Sequence, residues 1–256
     1  MKDLQKPDID LLLCSDGQKT DEIVGEITQR LNVNIINERP GKSGKKLYLQ
    51  LDEDGISLVE DKLVVRGDFT RMLSRLKTNN LQGELLVKAA RMKGLDRTPV
   101  AVDATAGLGE DAILLAAAGF EVQLYEYNPV IGLLLWDALR RGKEIPELAD
   151  TVGRMNLKAE NSLMALPALT LSPDVVVLDP MFPEKQKKNL VKKKFQLIQQ
   201  LELPCSDGLE LLQAAMAAHP KKIVIKRPVK GPCLGEQKPS YSICGKNIRY
   251  DCFVPG

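Results

Sequence analysis

The stretch VAVDATAGLGEDAILLAAAG, residues 100–119, carries an apolar run into a helical pattern through a turn that holds Gly107 and Gly109. The first part reads as a buried strand closed by Asp103, and the second as a helix ended by Gly119. A glycine-rich turn between such elements lets the backbone approach a ligand closely. It also aims the first N–H groups of the helix at that ligand.

Working outward, apolar runs and helical patterns keep alternating: EVQLYEY, a helix from Pro129 to about Arg141, MNLKAEN, DVVVLDP, a Lys-rich helix, a helix around 207–218, and KKIVIKRP. Strands that alternate with helices imply βαβ units and a mainly parallel, doubly wound α/β sheet. The tail, YSICGKNIRYDCFVP, reads instead as an antiparallel hairpin turning at GKN.

Toward the N-terminus the texture is mixed. Residues 9–14 read as a strand, 20–31 as a helix N-capped by Thr20, NVNII as a strand, and KLYLQLDEDGISLVEDKLVVRG as a meander with acidic turns. DFTRMLSRLK then predicts a helix, TNNLQG a polar break, and ELLVKAARMKG a helix stopped by Gly94. The expected organisation is a small α+β domain over residues 1–80 and a larger α/β domain over 81–256.

Composition narrows the class. With 256 residues, 44% hydrophobic and 27% charged, the chain is long enough for a proper core and has ordinary globular values. A net charge of +2 does not announce a polyanion partner, so the distribution of lysines must decide. Five scattered cysteines without a C-x-x-C pair argue against a disulfide framework and against a structural zinc. No signal or membrane segment is visible, and a cytoplasmic location is expected.

A G-x-G turn after a strand serves nicotinamide, flavin and S-adenosylmethionine proteins alike, and some such turns bind nothing. Two acids discriminate. Asp103, just before the turn, would repel a pyrophosphate but suits the ammonium of a methionine moiety. Glu126 ends the next strand, 19 residues after Gly107, where a carboxylate can accept both ribose hydroxyls. Asp179–Pro180–Met181–Phe182 closes the fourth predicted parallel strand, DVVVL. It offers a carboxylate acceptor, a carbonyl beside a rigid proline and a ring for stacking a flat base. Such a set can hold an exocyclic amine toward a methyl donor; the bland alternative is a turn with a capping Asp and a core Phe.

Six lysines follow within ten residues: Lys185, Lys187, Lys188, Lys192, Lys193 and Lys194. They form either a solvated helix face or a phosphate rail. Lys226 and Arg227 end a later strand and are either ordinary strand-end charges or further phosphate contacts. His219, the single histidine, reads as a surface cap at a helix end, and neither a hydrolytic triad nor a metal cluster can be assembled.

DATAGLGEDA, EYNPV, LDPMFPEKQKKNLVKKK and VIKRP together resemble the bacterial S-adenosylmethionine-dependent methyltransferase J family, which modifies guanine N2 in small-subunit ribosomal RNA. The likeness covers about residues 83–254, and DPMFP followed by lysines is its most specific part. It implies a seven-stranded methyltransferase sheet, a smaller N-terminal domain, and ribosomal RNA or the small subunit as partner. It places contacts to the methyl donor on Glu110, Asp111, Glu126, Tyr127, Asn161, Ser162 and Asp179. Glu110 and Tyr127 stand where the family usually has basic residues, and TNNLQ replaces its glycine-rich, arginine-containing run before Gly83–Glu84. Methyl transfer to an exocyclic amine is therefore the expected reaction, with Asp179, Pro180 and Phe182 as its catalytic set. The alternatives are a methyltransferase fold that binds RNA without turnover and an amino-methyltransferase acting on a different nucleic acid.

Overall fold

The computed structural model describes residues 7–40, 47–180, 197, 201 and 208–255. Strand β1 (Asp8–Leu13), helix α1 (Gln18–Arg30) and strand β2 (Asn32–Ile36) form a parallel unit. Strands β3 (Leu47–Asp52), β4 (Gly55–Glu60) and β5 (Leu63–Val65) add the expected meander, in the order β2-β1-β3-β4-β5. Helix α1 starts two residues earlier than its sequence suggests. Its N-cap is Gly17, while Thr20 lies buried one turn inside, on the same stripe as Ile23 and Ile27. The 3-4 spacing of those three positions puts Thr20 against the sheet instead of at the cap.

The connection to the larger sheet is more helical than anticipated. Asp68 accepts the N–H of Thr70 at 3.0 Å and starts a 3₁₀ turn, Phe69–Met72, that runs into α2 (Leu73–Leu76). The supposed polar break contains a further turn, α3 (Thr78–Leu81). Here Asn80 Nδ2 donates to the Ser74 carbonyl at 2.7 Å while Leu81 is buried, so the polar residues bond locally around one apolar anchor. Helix α4 (Leu85–Ala90) ends well before Gly94, because Lys222 Nζ draws on the carbonyls of Ala89 and Arg91 at 2.9 Å each. Phe69, Met72 and Leu81 all belong to the core of the large sheet.

Seven strands build the large sheet: β6 (Val100–Asp103), β7 (Glu121–Tyr125), β8 (Met155–Lys158), β9 (Val175–Leu178), β10 (Lys222–Pro228), β11 (Tyr241–Cys244) and β12 (Ile248–Phe253). Their order is β11-β12-β10-β9-β6-β7-β8. Strand β12 runs antiparallel to β10 and to β11, while the other pairings are parallel. Among the described residues this half also holds helices α5 (Glu110–Ala117), α6 (Pro129–Lys143), α7 (Pro146–Gly153), α8 (Ser162–Ala165) and α9 (Gly208–Ala217); α7 and α8 were not anticipated, and the expected Lys-rich helix lies outside the described residues.

Alternation along the strands explains why both faces are covered. Ala101, Val175, Val177 and Val224 face one apolar cluster with α4 and α5, whereas Val102, Val176, Leu178, Ile223 and Ile225 face another with α9. Helix α6 is apolar around most of its girth. It gives Leu135, Ala138 and Leu139 to the large core, and Val130, Ile131, Leu133 and Leu134 to the core of the small sheet. Its buried Asp137 accepts the Ile56 N–H at 3.0 Å and pairs with Arg140 and Arg141 at 2.7 and 2.8 Å, fastening one half to the other. Chain direction across the sheet reverses at β6, between β7 and β9, where open α/β sheets bind ligands beyond the strands' carboxyl ends.

Candidate active site

At the carboxyl end of β6 the turn depends on positive φ at Gly107 (53°) and Gly109 (80°). The two glycines serve different ends. A Cβ on Gly109 would stand 2.8 Å from Leu135 Cδ1 and 3.2 Å from Phe69 Cζ, so this position needs glycine for packing. A Cβ on Gly107 would meet nothing within 4 Å, so its bareness leaves backbone open toward the cleft.

Glu126, at the end of β7, is bound to that turn. Its Oε2 accepts the Gly107 N–H at 2.9 Å and its Oε1 the Asn128 N–H at 2.8 Å. Each carboxylate oxygen keeps a lone pair for a ligand hydroxyl. Only 7% of the residue is exposed, and burial pushes its carboxyl up to about 7 against the pull of these N–H groups. Asn128 then caps α6, its Oδ1 accepting from Val130 and Ile131. Tyr127 is exposed beside them.

Three further acids converge from β6, α5 and the end of β9. Asp103 is 2% exposed and accepts the Thr105 N–H at 3.1 Å; burial first, and the charge of Asp111 second, push it up to about 8. Lys226 Nζ, from β10, lies 2.8 Å from Asp111 Oδ2 and 2.9 Å from Asp179 Oδ2. Burial raises Asp179 above the usual carboxylate range although Lys226 opposes it. Its backbone N–H donates to Thr105 Oγ1 at 2.6 Å, pinning the start of the Asp-Pro turn to the glycine turn. Three carboxylates thus share one close ammonium. Two more distant cations also feel these acids: Arg227, which donates to the Pro232 carbonyl, and Arg75, which is held by Glu84 at 2.7 and 2.9 Å. The cleft is short of positive charge, which suits a cationic ligand.

Other expected site residues fall as follows. Asn161 caps α8 at the end of β8, its Oδ1 accepting the Leu163 N–H at 2.9 Å, with Ser162 buried next to it. Glu110 is exposed on the first turn of α5, and Pro180 is buried. Phe182, Lys185, Lys187, Lys188, Lys192 and Lys193 lie outside the described residues.

Lys226 and Arg227, expected either as strand-end charges or as phosphate contacts, are both engaged within the protein. Arg227 is 2% exposed and donates through Nε and Nη2 to the Pro232 carbonyl at 2.8 and 2.5 Å; it ties down the loop after β10. Lys226 points between carboxylates, not out toward a polyanion. Sequence reasoning missed Thr105 and Tyr250. The latter is paired directly with Lys226 across β10 and β12 and is raised by burial and by Asp111. Only the strand order reveals either. Among the described residues no cluster could hold a metal ion, and no helix is long and apolar enough to cross a membrane.

Residues 28–255 match the SAM_MT family of SAM-dependent methyltransferases. Ribosomal RNA small subunit methyltransferase J of Thioalkalivibrio sulfidiphilus is 38% identical over 238 residues, covering 90% of this chain and 92% of that protein. The chain belongs to the methyltransferase J family. The protein of the same description from Neisseria gonorrhoeae is 36% identical over 220 residues, covering 85% and 87%. The crystal structure of a SAM-dependent methyltransferase from Neisseria gonorrhoeae aligns with a TM-score of 0.76 at 31% identity, covering 96% of each chain. As a SAM-dependent methyltransferase the protein uses S-adenosylmethionine as cofactor. The cleft fits that group: the open backbone of Gly107, the Glu126 carboxylate for hydroxyls, and acids left short of cations for a sulfonium and an ammonium. A nicotinamide cofactor is set aside.

Proposed function

We propose that this methyltransferase modifies small-subunit ribosomal RNA, with the exocyclic amine at guanine N2 as the acceptor. The observation that carries the reading is the placement of Asp179. Its backbone is tied to Thr105 in the glycine turn, and its Oδ2 is held by Lys226. Oδ1 is thereby left to face an amine next to the cradle for the methyl donor. The names of the relatives supply the RNA, and the Asp-Pro-Met-Phe tetrad supplies the class of atom.

When bound, S-adenosylmethionine supplies a methyl carbon activated by its sulfonium, and the electron pair of the broken carbon–sulfur bond stays on sulfur. Asp103 and Asp111 would hold its cationic end, Glu126 its ribose hydroxyls, and Tyr127, Asn161 and Ser162 would line the nucleoside side. Asp179 Oδ1 and the Pro180 carbonyl accept the two N–H groups of the amine. This favours the pyramidal nitrogen whose lone pair can attack, and Asp179 receives the proton that nitrogen sheds as the new bond forms. Phe182 stacks the extruded base, and Lys185, Lys187, Lys188, Lys192 and Lys193 follow the phosphates. Holding the nitrogen in line contributes most of the acceleration. The protein acts in the cytoplasm on naked RNA or on an assembled subunit.

Mapping methylated nucleotides in ribosomal RNA from a strain lacking the gene tests this reading. One N2-methylguanosine should disappear from the small-subunit RNA and return when the gene is restored. An unchanged methylation map would refute it.

A further inference from the structure

Lys226 is the one cation within ion-pairing distance of both Asp111 and Asp179 among the described residues, and the geometry around it is specific. Its Nζ takes Asp111 Oδ2 at 2.8 Å and Asp179 Oδ2 at 2.9 Å, so it bridges the first turn of α5 to the residue that closes β9. The ammonium occupies one oxygen of Asp179 and leaves the other for a substrate. The lysine stem is fixed by its strand: Lys226 lies between Ile225 and the buried Arg227, directly across from Tyr250 on β12. A surface lysine reaching for phosphate would need none of this.

We propose that Lys226 is a positioning residue for methyl transfer, which keeps the Asp179 carboxylate ionised and turned so that Oδ1 meets the amine, and which locks this orientation to helix α5 through Asp111. The inference rests on the role given to Asp179 above and deepens it. A half-buried carboxyl among other acids can take the proton of the amine only while it stays ionised. The groups that face it work against this: Asp103 from β6, and Asp111 from α5. Lys226 and Arg227 on β10 work for it, while Tyr250 on β12 adds a phenol held neutral by burial. Arg75 on α2 also faces these acids but is engaged by Glu84, and Glu110 lies exposed on the outer side of the same turn. Removing the Lys226 charge raises Asp179 further, so its ionised fraction is lost at a higher pH than in the parent.

The test is the pH profile of single-turnover methylation of small-subunit RNA at saturating S-adenosylmethionine, for the parent and for Lys226→Met, Lys226→Gln and Lys226→Arg. Lys226→Met should lower the rate at pH 7 by about tenfold or more and move the acid limb up by about one pH unit. Lys226→Gln, which keeps a polar contact without the charge, should do the same and stands in should Lys226→Met fail to fold. Lys226→Arg should restore most of the rate and return the limb toward the parent position. The salt dependence of RNA affinity should be unchanged in all three. A parent-like rate and limb in Lys226→Met or Lys226→Gln overturns the proposal. So does a loss expressed only as weaker RNA binding with a shallower salt slope, which would make Lys226 a phosphate contact. Asp179→Asn separates the two levels. If it methylates at the parent rate, the reading of Asp179 itself fails; if it is inactive while Lys226→Met is parent-like, only the Lys226 inference fails.

Discussion

Glu126 and Gly107 are joined by a hydrogen bond, carboxylate Oε2 to backbone N–H at 2.9 Å, although 19 residues separate them in the chain. The acid that ends β7 and the turn that follows β6 are thus one unit, and any ligand that uses the acid also meets the turn. With its carboxyl pushed up to about 7, Glu126 is part-protonated near neutrality. Ribose hydroxyls favour the ionised form, so affinity for S-adenosylhomocysteine should rise between pH 6 and pH 8. Glu126→Gln cannot accept both N–H groups and should weaken binding by about tenfold or more while reducing the pH dependence to what Asp103 contributes. Calorimetric titration across that range checks both; an unaltered Kd in Glu126→Gln removes the residue from the site.

Asp103 should trade stability for binding. Its carboxyl is raised to about 8 in the folded protein from the ordinary 3.8, so between those values the folded state holds a proton that the unfolded chain releases. Stability from this group therefore falls as pH rises through that window. Asp103→Asn should raise Tm by several degrees at pH 8 and by much less at pH 5, while weakening S-adenosylhomocysteine. Thermal melts at the two pH values, with and without ligand, give the answer. An Asp103→Asn variant that is less stable than the parent, by a margin that grows with pH, contradicts it.

The two glycines of the turn should fail in different ways. Gly109→Ala places a methyl against Leu135 and Phe69 at positive φ and should cost about 1–3 kcal/mol of stability. Gly107→Ala meets no neighbour, so only the backbone conformation is strained, at about 1–2 kcal/mol. Its main effect should be loss of affinity for the methyl donor. Urea unfolding beside ligand titration separates them. Equal affinity losses with equal stability losses would show that Gly107 does not face a ligand.

Asp137 holds the two sheets together from a fully buried position, with Arg140, Arg141 and the Ile56 N–H as partners. Asp137→Ala leaves two guanidinium groups and a buried N–H without it and should cost about 3–5 kcal/mol. Trp136, the single tryptophan, sits between Arg30 of α1 and Arg140 of α6 at 5.6 and 5.9 Å, so its fluorescence reports on this junction directly. Its transition should move to lower urea in the variant; an unchanged midpoint would show that the junction does not depend on Asp137.

Much of this arrangement is legible in the sequence, and the limits have physical causes. The strand, glycine turn and helix at 100–117 are local patterns, and Glu126 is found by counting one βα unit onward. Lys226 and Asp179, by contrast, are 47 residues apart and meet because β10 lies beside β9, which no local period encodes. Arg227 looks like a surface charge because its partner is a loop carbonyl, and carbonyls leave no mark in the sequence. The α3 turn in TNNL is held by one Asn side chain and one buried Leu, too little periodicity to announce a helix. Thr20 misleads for the opposite reason: its capping chemistry is genuine, but the apolar stripe claims it first.

The most direct measurement is nucleoside analysis of small-subunit ribosomal RNA, from a strain lacking the gene, after incubation with the purified protein and methyl-labelled S-adenosylmethionine. The proposed site predicts label in N2-methylguanosine, with transfer reduced about 10²-fold in Asp179→Asn at saturating donor. Label in a ring-carbon or ribose-methylated nucleoside, or none with a donor-binding protein, would contradict it.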